Sequence, residues 1–530
     1  MDTAAPRAAG RREWIGLAVL ALPTMLVSLD ISVLFLALPH LAADLGASAT
    51  EQLWITDIYG FLIAGFLVTM GTLGDRIGRR KLLLIGATGF GAASVLAAFS
   101  GSPEMLIVSR AILGFAGATL LPSTLALIST MFQVPRQMGV AMAIWGTAFM
   151  AGVALGPVVG GILLSVFWWG SVFLMAVPLL AILLIAGPLL LPESRAPESG
   201  RIDLGSVALS LLAILPLVYG LKELTRSGAG VVLPIVAIVI GATAATLFVL
   251  RQRRLEDPLL DLKLFRNRQL SAAVLIGLIV GAVQSGTGLY IALYLQTVEG
   301  FGPLQAGLWL LVPNAALVIG INVSPKLAQR FRPGYVLAAG LAVSAVGQFL
   351  LTQVDSADGL ALLVIGVSVG YLGVGPASAL LNHLVMDSTP PEKAGSAASL
   401  SATGGELGVA GGIAVFGSIG AAVYGSTLLI PDGVPAPAAG AAEESISGAV
   451  TVAGELDPAV GASLLDSARE AFTSGLTTIA GLSVFLFLAL GALAAFLLRN
   501  VRPVDHEEAG TEAGDEVETG QSPDSVPTRG

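Results

Sequence analysis

The chain contains no cysteine and only three histidines in 530 residues. Without cysteine, neither disulfide bonds nor thiolate metal sites can form. The dipeptide Gly-Lys is also absent, which excludes the phosphate-binding loop of a nucleotide-driven pump. A membrane enzyme would need a nucleophile with its base, or a cluster of metal ligands, and scattered histidines supply neither. We therefore expect no enzyme activity, no metal, no cofactor and no nucleic-acid partner.

Charged residues are scarce as well, at 12% of the chain, whereas hydrophobic residues make up 55%. Soluble domains carry about 25% charged residues, so this chain has too few of them to cover a surface that faces water. Its mean hydropathy of +0.85 agrees with that conclusion. The composition predicts an all-α integral membrane protein that is surrounded by the lipid bilayer.

Long apolar runs recur along the whole chain, and a helix that spans the membrane needs about 20 such residues. Measured against that length, the sequence predicts fourteen transmembrane helices. Their bounds are 15–38, 53–73, 82–99, 105–128, 138–163, 169–191, 204–221, 231–250, 270–295, 304–324, 334–352, 360–382, 399–424 and 476–498.

The positions of lysine and arginine predict how these helices are oriented, because basic residues are enriched in cytoplasmic loops. With the N-terminus in the cytoplasm, 23 of the 27 basic residues fall on the cytoplasmic side. Three of them, Lys222, Arg226 and Arg469, fall on the outer side, and Arg110 lies within a helix. We therefore expect a multi-pass protein of the bacterial inner membrane with both termini in the cytoplasm.

Four motifs occur in order along the first half of the chain. "GTLGDRIGRRKL" (71–82) resembles the cytoplasmic signature loop of the major facilitator superfamily, and "AGVALGPVVGG" (151–161) resembles the fifth-helix antiporter signature of its proton-coupled drug exporters. "LDISVLFLALP" (29–39) is similar to the first-helix signature of the fourteen-helix branch, and "SRAILGFAGA" (109–118) to a fourth-helix signature with a buried arginine. "QLWITDIY" (52–59) resembles exporters of quaternary ammonium compounds. The resemblance covers residues 15 to 498.

The resemblance implies a domain organisation of two six-helix bundles related by pseudo-symmetry, with two inserted helices between them. The corresponding segments are a cytoplasmic tail (1–14), an N-terminal bundle (15–191), the inserted pair (204–250), a cytoplasmic linker (251–269), a C-terminal bundle (270–498) with an extracellular loop (425–475), and a disordered acidic tail (499–530).

The function that the resemblance implies is proton-coupled efflux of lipophilic cationic drugs and antiseptics by alternating access. A dedicated exporter of one antibiotic or natural product is the alternative for the substrate. A nutrient symporter on the same fold is the alternative for the mechanism, and the fifth-helix motif argues against it. We expect a monomer whose partners are small-molecule substrates and protons.

Four ionisable residues lie inside predicted helices, namely Asp30, Asp57, Arg110 and Glu406. A charge near the centre of a bilayer costs about 2.5–3.5 kcal/mol, so such residues are expected to couple protons or bind substrate. A carboxylate removed from water favours its protonated form, whereas a bound cation favours the charged form, and this competition yields exchange. The alternative is structural, with Asp57 and Arg110 pairing as a bridge near the outer surface.

Three further polar residues lie at helix ends. Asp203 and Lys222, at the two ends of the seventh predicted helix, are interpreted as membrane-interface residues. His383, near the end of the twelfth helix, is interpreted as a polar helix-end residue rather than a proton relay.

Aromatic residues near the predicted acids suit lipophilic cations through cation–π contacts. They are Trp54, Tyr59, Trp145, Phe149, Tyr290 and Tyr294, and the alternative for most of them is packing or a position in the interfacial belt. Glu406 is the one carboxylate in "SLSATGGELG", and the tenth predicted helix has none. This shortage of acids places divalent cations in doubt and leaves monovalent dyes or a neutral antibiotic.

The cytoplasmic loop carries more than topology requires. Basic residues alone would orient the chain, but the gating motif also contains an acid and three glycines. Its members are Gly71, Gly74, Asp75, Arg76, Gly78, Arg79 and Arg80. Asp75 is expected to cap the next helix or to bind an arginine of a neighbouring helix, which would latch the two bundles on the cytoplasmic face.

The antiporter motif is expected to thin and bend the fifth helix where it meets the opposite bundle. Its residues are Gly152, Gly156, Pro157, Gly160 and Gly161. Within the late outer loop, "SLLDSAREAFTSG" has the spacing of an amphipathic helix. That helix would lie over the outer mouth as a lid, or the loop is a solvated connector.

Overall fold

The computed structural model describes residues 8–195, 203–224, 230–255, 262–388, 394–499 and 501. Half of the predicted N-terminal tail, residues 8–14, lies within this range, whereas almost all of the predicted acidic tail lies outside it. The side chain of His383, which was predicted to be a polar helix-end residue, also lies outside the described residues.

In the described part of the chain, fourteen helices are long and apolar enough to cross a membrane, with one bent helix counted once. The prediction of an all-α fold with fourteen spans is thereby confirmed. They are span 1 (Arg11–Leu45), span 2 (Ala49–Ile77), span 3 (Arg79–Ala98), span 4 (Pro103–Met131), span 5 (Pro135–Val166), span 6 (Ser171–Leu190), span 7 (Leu204–Leu224), span 8 (Val232–Arg254), span 9 (Arg268–Val298), span 10 (Pro303–Arg330), span 11 (Pro333–Leu351), span 12 (Leu360–Asp387), span 13 (Ala394–Thr427) and span 14 (Pro458–Leu497).

Capping residues at the span ends explain several of the helix boundaries. Ser48 accepts a hydrogen bond from the backbone N–H of Glu51, and the Glu51 side chain accepts one from the backbone of Ser48, so span 2 begins with a capping box. Asn267 caps span 9 through its side chain, which accepts a hydrogen bond from the backbone N–H of Gln269. Gly78 ends span 2 at a φ of 111°, a conformation that side chains disfavour.

The two bundles, spans 1–6 and spans 9–14, repeat one pattern of helix packing. Span 1 packs on span 5 as span 9 packs on span 13, and span 2 packs on span 4 as span 10 packs on span 12. The bundles meet along two interfaces, which we call the first seam (spans 2 and 13) and the second seam (spans 5 and 10). Span 2 corresponds to span 10, and span 5 corresponds to span 13. The pseudo-two-fold axis that relates the bundles therefore exchanges the two seams.

The inserted pair, spans 7 and 8, breaks this symmetry. The two helices pack on each other, and span 7 also packs on spans 2 and 13. Phe61 of span 2, Val218 of span 7, and Ala410 and Ala414 of span 13 form one buried cluster. The first seam is therefore covered by a third helix.

The number of spans is even, so span 1 begins and span 14 ends on the same side of the molecule, which we call the terminal side. On the opposite, far side, two short helices, Ala436–Glu444 and Ile446–Ala453, follow span 13. The segment 463–475 is helical, as its spacing predicts, but it is continuous with span 14 rather than a separate lid. That segment forms the first part of span 14, because Leu464 and Ala468 are buried and the segment packs on the helix Ile446–Ala453.

Candidate functional site

Arg110 of span 4 is fully buried and forms an ion pair with Asp30 of span 1. Its Nε donates a hydrogen bond of 3.1 Å to the carbonyl oxygen of Ile55 in span 2. The guanidinium carbon also lies 4.5 Å from the centre of the Tyr59 ring, a cation–π distance. One buried cation therefore joins spans 1, 2 and 4 of the N-terminal bundle.

Asp57 does not pair with Arg110, so the predicted bridge between them is wrong. Its Oδ2 lies 2.7 Å from Nζ of Lys222 in span 7, and neither side chain is exposed. The same Nζ lies 4.1 Å from the centre of the Trp54 ring. Trp54 and Asp57 are three residues apart on span 2, which places both on the helix face that span 7 covers.

The interpretation of Lys222 as an interface residue is likewise wrong. Its side chain is buried because span 7 packs against the first seam. The Asp57 carboxylate there replaces water as the partner of the ammonium group. Asp203, at the other end of span 7, does lie at a helix end, where it pairs with Arg251 of span 8 at 2.8 Å.

A cavity of about 260 Å³ lies between the two bundles. Spans 1 and 5 line it from one bundle, and spans 9, 10, 12 and 13 line it from the other. Among its described lining residues Glu406 is the one carboxylate, and its Oε2 is buried without a hydrogen-bond partner. Of the four predicted ionisable site residues, only Glu406 lines the cavity.

The predicted aromatic contacts are spread over several places. Phe149 lines the cavity, and Trp145 lies beside it with a ring separation of 6.3 Å. Trp54 and Tyr59 contact the two buried cations instead. Their role in the described structure is to hold protein cations.

Two further predicted aromatics lie toward the far side. Tyr290 stacks on Phe472 with ring centres 4.9 Å apart. The hydroxyl of Tyr294 donates a hydrogen bond of 2.5 Å to the carbonyl oxygen of Asp355. Neither tyrosine is among the residues that line the central cavity.

Sequence reasoning missed most of the cavity lining, including two aromatic residues, Phe35 and Tyr371, and two amides, Gln284 and Asn314. Tyr371 of span 12 and Gln284 of span 9 both line the cavity from the C-terminal bundle. The available signal was an amide within an apolar helix, because such a group requires a partner or an aqueous cavity. Nothing in the local sequence distinguishes Phe35 or Tyr371 from packing aromatics.

The gating motif forms its ion pairs within the N-terminal bundle. Asp75 pairs with Arg79 at the start of span 3, at 2.5 Å. Arg80 donates a hydrogen bond of 3.0 Å to the carbonyl oxygen of Leu191 and lies 3.6 Å from Glu193. Asp75 therefore binds an arginine of a neighbouring helix, as expected, but this pair does not latch the two bundles to each other.

Gly78 of the gating motif permits close approach of the chain that follows span 6, and Gly74 permits close approach of span 3. A Cβ atom at Gly78 would lie 2.5 Å from Oε1 of Glu193, and at Gly74 it would lie 3.0 Å from Cδ of Arg79. Gly71 is less crowded, with its nearest neighbour, Pro122, at 4.0 Å. Arg76 is exposed.

The antiporter motif presents two faces rather than one. Gly152, Gly156 and Gly160 pack on span 1, so the expectation that they meet the opposite bundle is wrong. Gly161 does meet it, because an added Cβ would lie 2.7 Å from Cα of Leu304 in span 10. Similarly, a Cβ added to Gly307 of span 10 would lie 2.3 Å from the carbonyl oxygen of Pro157. The spacing of four residues places the first three glycines along one face of the helix.

The two bundles contact each other on the far half of the molecule. Gly161 approaches Leu304 at the second seam, and Gly417 approaches Leu53 at the first. On the terminal half of span 5, a Cβ added to Gly139 or Gly146 would meet no atom within 4 Å. The cavity is therefore closed toward the far side, and the terminal half of span 5 borders open space.

Comparison with known proteins places this geometry among membrane transporters. Residues 20–413 match the family model described as Major Facilitator Superfamily. The multidrug efflux pump LfrA of Mycolicibacterium smegmatis is 42% identical, over 92% of this chain and 97% of its own length. The methyl viologen resistance protein SmvA of Salmonella typhimurium is 34% identical, over 91% of this chain and 97% of its own.

Among solved structures, a bacterial homologue of the human lysosomal transporter Spinster in an inward-facing, unoccupied conformation aligns with a TM-score of 0.65. It covers 93% of this chain and 99% of its own, at 15% sequence identity. At that identity the likeness concerns the fold alone.

Proposed function

Because the chain belongs to the major facilitator superfamily, we propose that it exports lipophilic cations and exchanges them for protons by alternating access. The observation that carries the proposal is Glu406, a carboxylate with a partnerless buried oxygen in a cavity between two bundles. The efflux and resistance functions in the names of LfrA and SmvA support it.

Glu406 has the chemistry of a shared site for a proton and a cation. Its cavity offers the rings of Phe35, Phe149 and Tyr371, which favour a flat or quaternary cation over a hydrated metal ion. In a medium of low dielectric constant an unpaired carboxylate takes up a proton or a cation rather than remaining charged. Binding of the drug would therefore release the proton.

Asp30 is proposed as the acid that links proton binding to the change of conformation. Its partner Arg110 also holds the carbonyl oxygen of Ile55 and lies against Tyr59. Protonation of Asp30 would remove the negative charge that faces Arg110, and the junction of spans 1, 2 and 4 would loosen. Asp30 and Glu406 would thus act in different bundles.

Alternating access would use the two seams. We propose that the terminal side faces the cytoplasm, in the bacterial inner membrane, as the distribution of basic residues predicts. In the described conformation the cavity would then take up drug from the cytoplasm. Separation of Gly161 from Leu304, and of Leu53 from Gly417, would open it to the outside.

The test uses inside-out vesicles with an acidic lumen and a pH-sensitive dye. Addition of ethidium should release protons from the lumen for the wild-type protein and fail to do so for Glu406→Gln and Asp30→Asn. Glu443→Gln, a matched change in an exposed far-side helix, should leave the signal unchanged.

Two results would contradict the proposal. Wild-type vesicles that respond to one neutral antibiotic but to no cation would indicate a dedicated exporter of that compound. Proton release by Glu406→Gln equal to that of the wild type would remove the carboxylate from the site.

A further inference from the structure

The intramembrane charges of the described residues are unevenly balanced. Asp30 is neutralised by Arg110, and Asp57 is neutralised by Lys222. Glu406 lines the cavity, with no hydrogen-bond partner for its Oε2. Two acids therefore carry resident cations, and one acid faces the cavity.

The pair of Asp57 and Trp54 has the form of a binding site for an organic cation. A carboxylate oxygen 2.7 Å from the ammonium and an indole ring 4.1 Å from it hold the charge from two directions. The carboxylate and the indole ring would hold any organic cation of suitable size, because both contacts depend on the positive charge of the bound group. A drug ammonium would find the same contacts if the place were vacant.

The occupant comes from outside the two bundles. Lys222 lies near the far end of span 7, and no described residue of the inserted pair lines the cavity. Trp54 packs beside the cluster that contains Ala410 and Ala414 of span 13. Ala410 is one helical turn, about 6 Å along the axis, from Glu406. The site of Asp57 thus adjoins the same helix that carries the cavity acid.

We propose that Lys222 is a tethered competitor for a cation site built by Asp57 and Trp54, and that it restricts this transporter to substrates with a single positive charge. The inference rests on the proposed export of cations. A dication needs a second carboxylate, because an uncompensated charge in a medium of low dielectric constant is costly. Lys222 occupies that carboxylate and, as a fixed positive charge, repels a second cationic group.

The test measures equilibrium binding to the purified full-length protein without a proton gradient. The probes are methyl viologen, a rigid dication, and ethidium, a monocation. Relative to the wild type, Lys222→Met should bind methyl viologen about tenfold more tightly, which is the effect of one modest ion pair. Its affinity for ethidium should change by less than about threefold.

Three further variants make the comparison specific. Asp57→Asn/Lys222→Met should lose the gain for methyl viologen, because the carboxylate is gone. Lys263→Met, which removes an exposed lysine in the linker, should match the wild type. Lys222→Gln keeps a hydrogen-bond donor near Asp57 and provides the same measurement where Lys222→Met does not fold.

The outcomes separate this inference from the proposed function. Wild-type protein that binds methyl viologen as tightly as ethidium would overturn the inference, and so would neutral variants at residue 222 that gain nothing. Wild-type protein that binds neither cation and gives no proton release in vesicles would instead overturn the proposed function.

Discussion

The two seams between the bundles are related by pseudo-symmetry but differ in what holds them. At the second seam, the backbones of spans 5 and 10 meet through Gly161 and Gly307, and the side chains of Leu155 and Val312 on the same helices are 48% and 47% exposed. At the first seam, larger side chains meet, and span 7 covers the contact with a buried ion pair.

The difference shows that an inserted helix pair can contribute more than extra membrane area. Span 7 supplies the positive charge that pairs with Asp57. Without span 7, the N-terminal bundle would contain a buried carboxylate with no basic partner. The second seam needs no such partner, because backbone contact depends on small residues rather than on charge. One seam is therefore sensitive to charge and the other to volume.

The largest expected effect comes from removing one charge at the first seam. Asp57→Asn leaves Lys222 buried without its carboxylate, and breaking a buried pair from one side costs about 3–5 kcal/mol. We expect a large fall in the thermal unfolding temperature in detergent. Asp57→Asn/Lys222→Met, which removes both charges, should recover most of that loss. Equal instability of the single and double variants would contradict a role for the charge.

The next effect tests volume at the second seam. Gly161→Ala places a Cβ 2.7 Å from backbone atoms of Leu304 and Pro303, which cannot move aside as a side chain can. Overpacking of this kind costs about 1–3 kcal/mol, and it should disfavour closure of the far side. We expect export of ethidium to fall about tenfold. Gly139→Ala, on the same helix but facing open space, is the control, and equal loss in both variants would refute the explanation.

A smaller effect is expected for glycine at the first seam. A Cβ at Gly417 would meet the terminal methyl groups of Leu53, which belong to a flexible side chain. The contact can be relieved by a rotamer change, and alanine also favours the helix by about 1 kcal/mol. Gly417→Ala should therefore keep export within about twofold of the wild type. A loss as large as that of Gly161→Ala would remove the distinction between the seams.

The smallest effect is expected for the exposed ion pair at the other end of span 7. The hydrogen bond from Arg251 holds the pKa of Asp203 well below its ordinary value. A depressed pKa stabilises the fold above the ordinary value of about 4, and that contribution is lost as the pH falls further. Because the pair is solvent-exposed, Asp203→Asn should cost less than about 1 kcal/mol at pH 7. Thermal unfolding from pH 7 to pH 3 should show a constant difference down to about pH 4, which then begins to shrink.

The partners of the buried charges illustrate what local sequence leaves open. Three acids and two bases lie in the described spans around the candidate site, so the sequence indicates that one acid lacks a basic partner. It does not say which one. A pair between Arg110 and Asp57 was the structural alternative, because both enter from the outer side, yet Arg110 reaches Asp30 and Lys222 pairs with Asp57. The paired residues are 80 and 165 positions apart in the chain, respectively, and lie on different helices.

The aromatic residues give the same lesson. Trp54 and Tyr59 are close to acids in sequence, but helix geometry turns them toward Lys222 and Arg110 rather than toward the cavity. Phe35 and Tyr371 line the cavity because spans 1 and 12 face each other across it. A short-range pattern cannot show which face of an apolar helix points inward, since lipid and protein interior are both apolar.

The sequence by itself determined that this chain spans a membrane fourteen times, with its basic residues gathered on one side, because span length and charge are local properties that the bilayer reads directly. It also determined that Glu406 is an acid inside a helix. Only the tertiary structure decided that Glu406 faces a cavity, that span 7 carries the counter-charge of Asp57, and that the antiporter glycines serve two faces. Those features depend on how distant helices rotate and pack, and packing is decided by all contacts together.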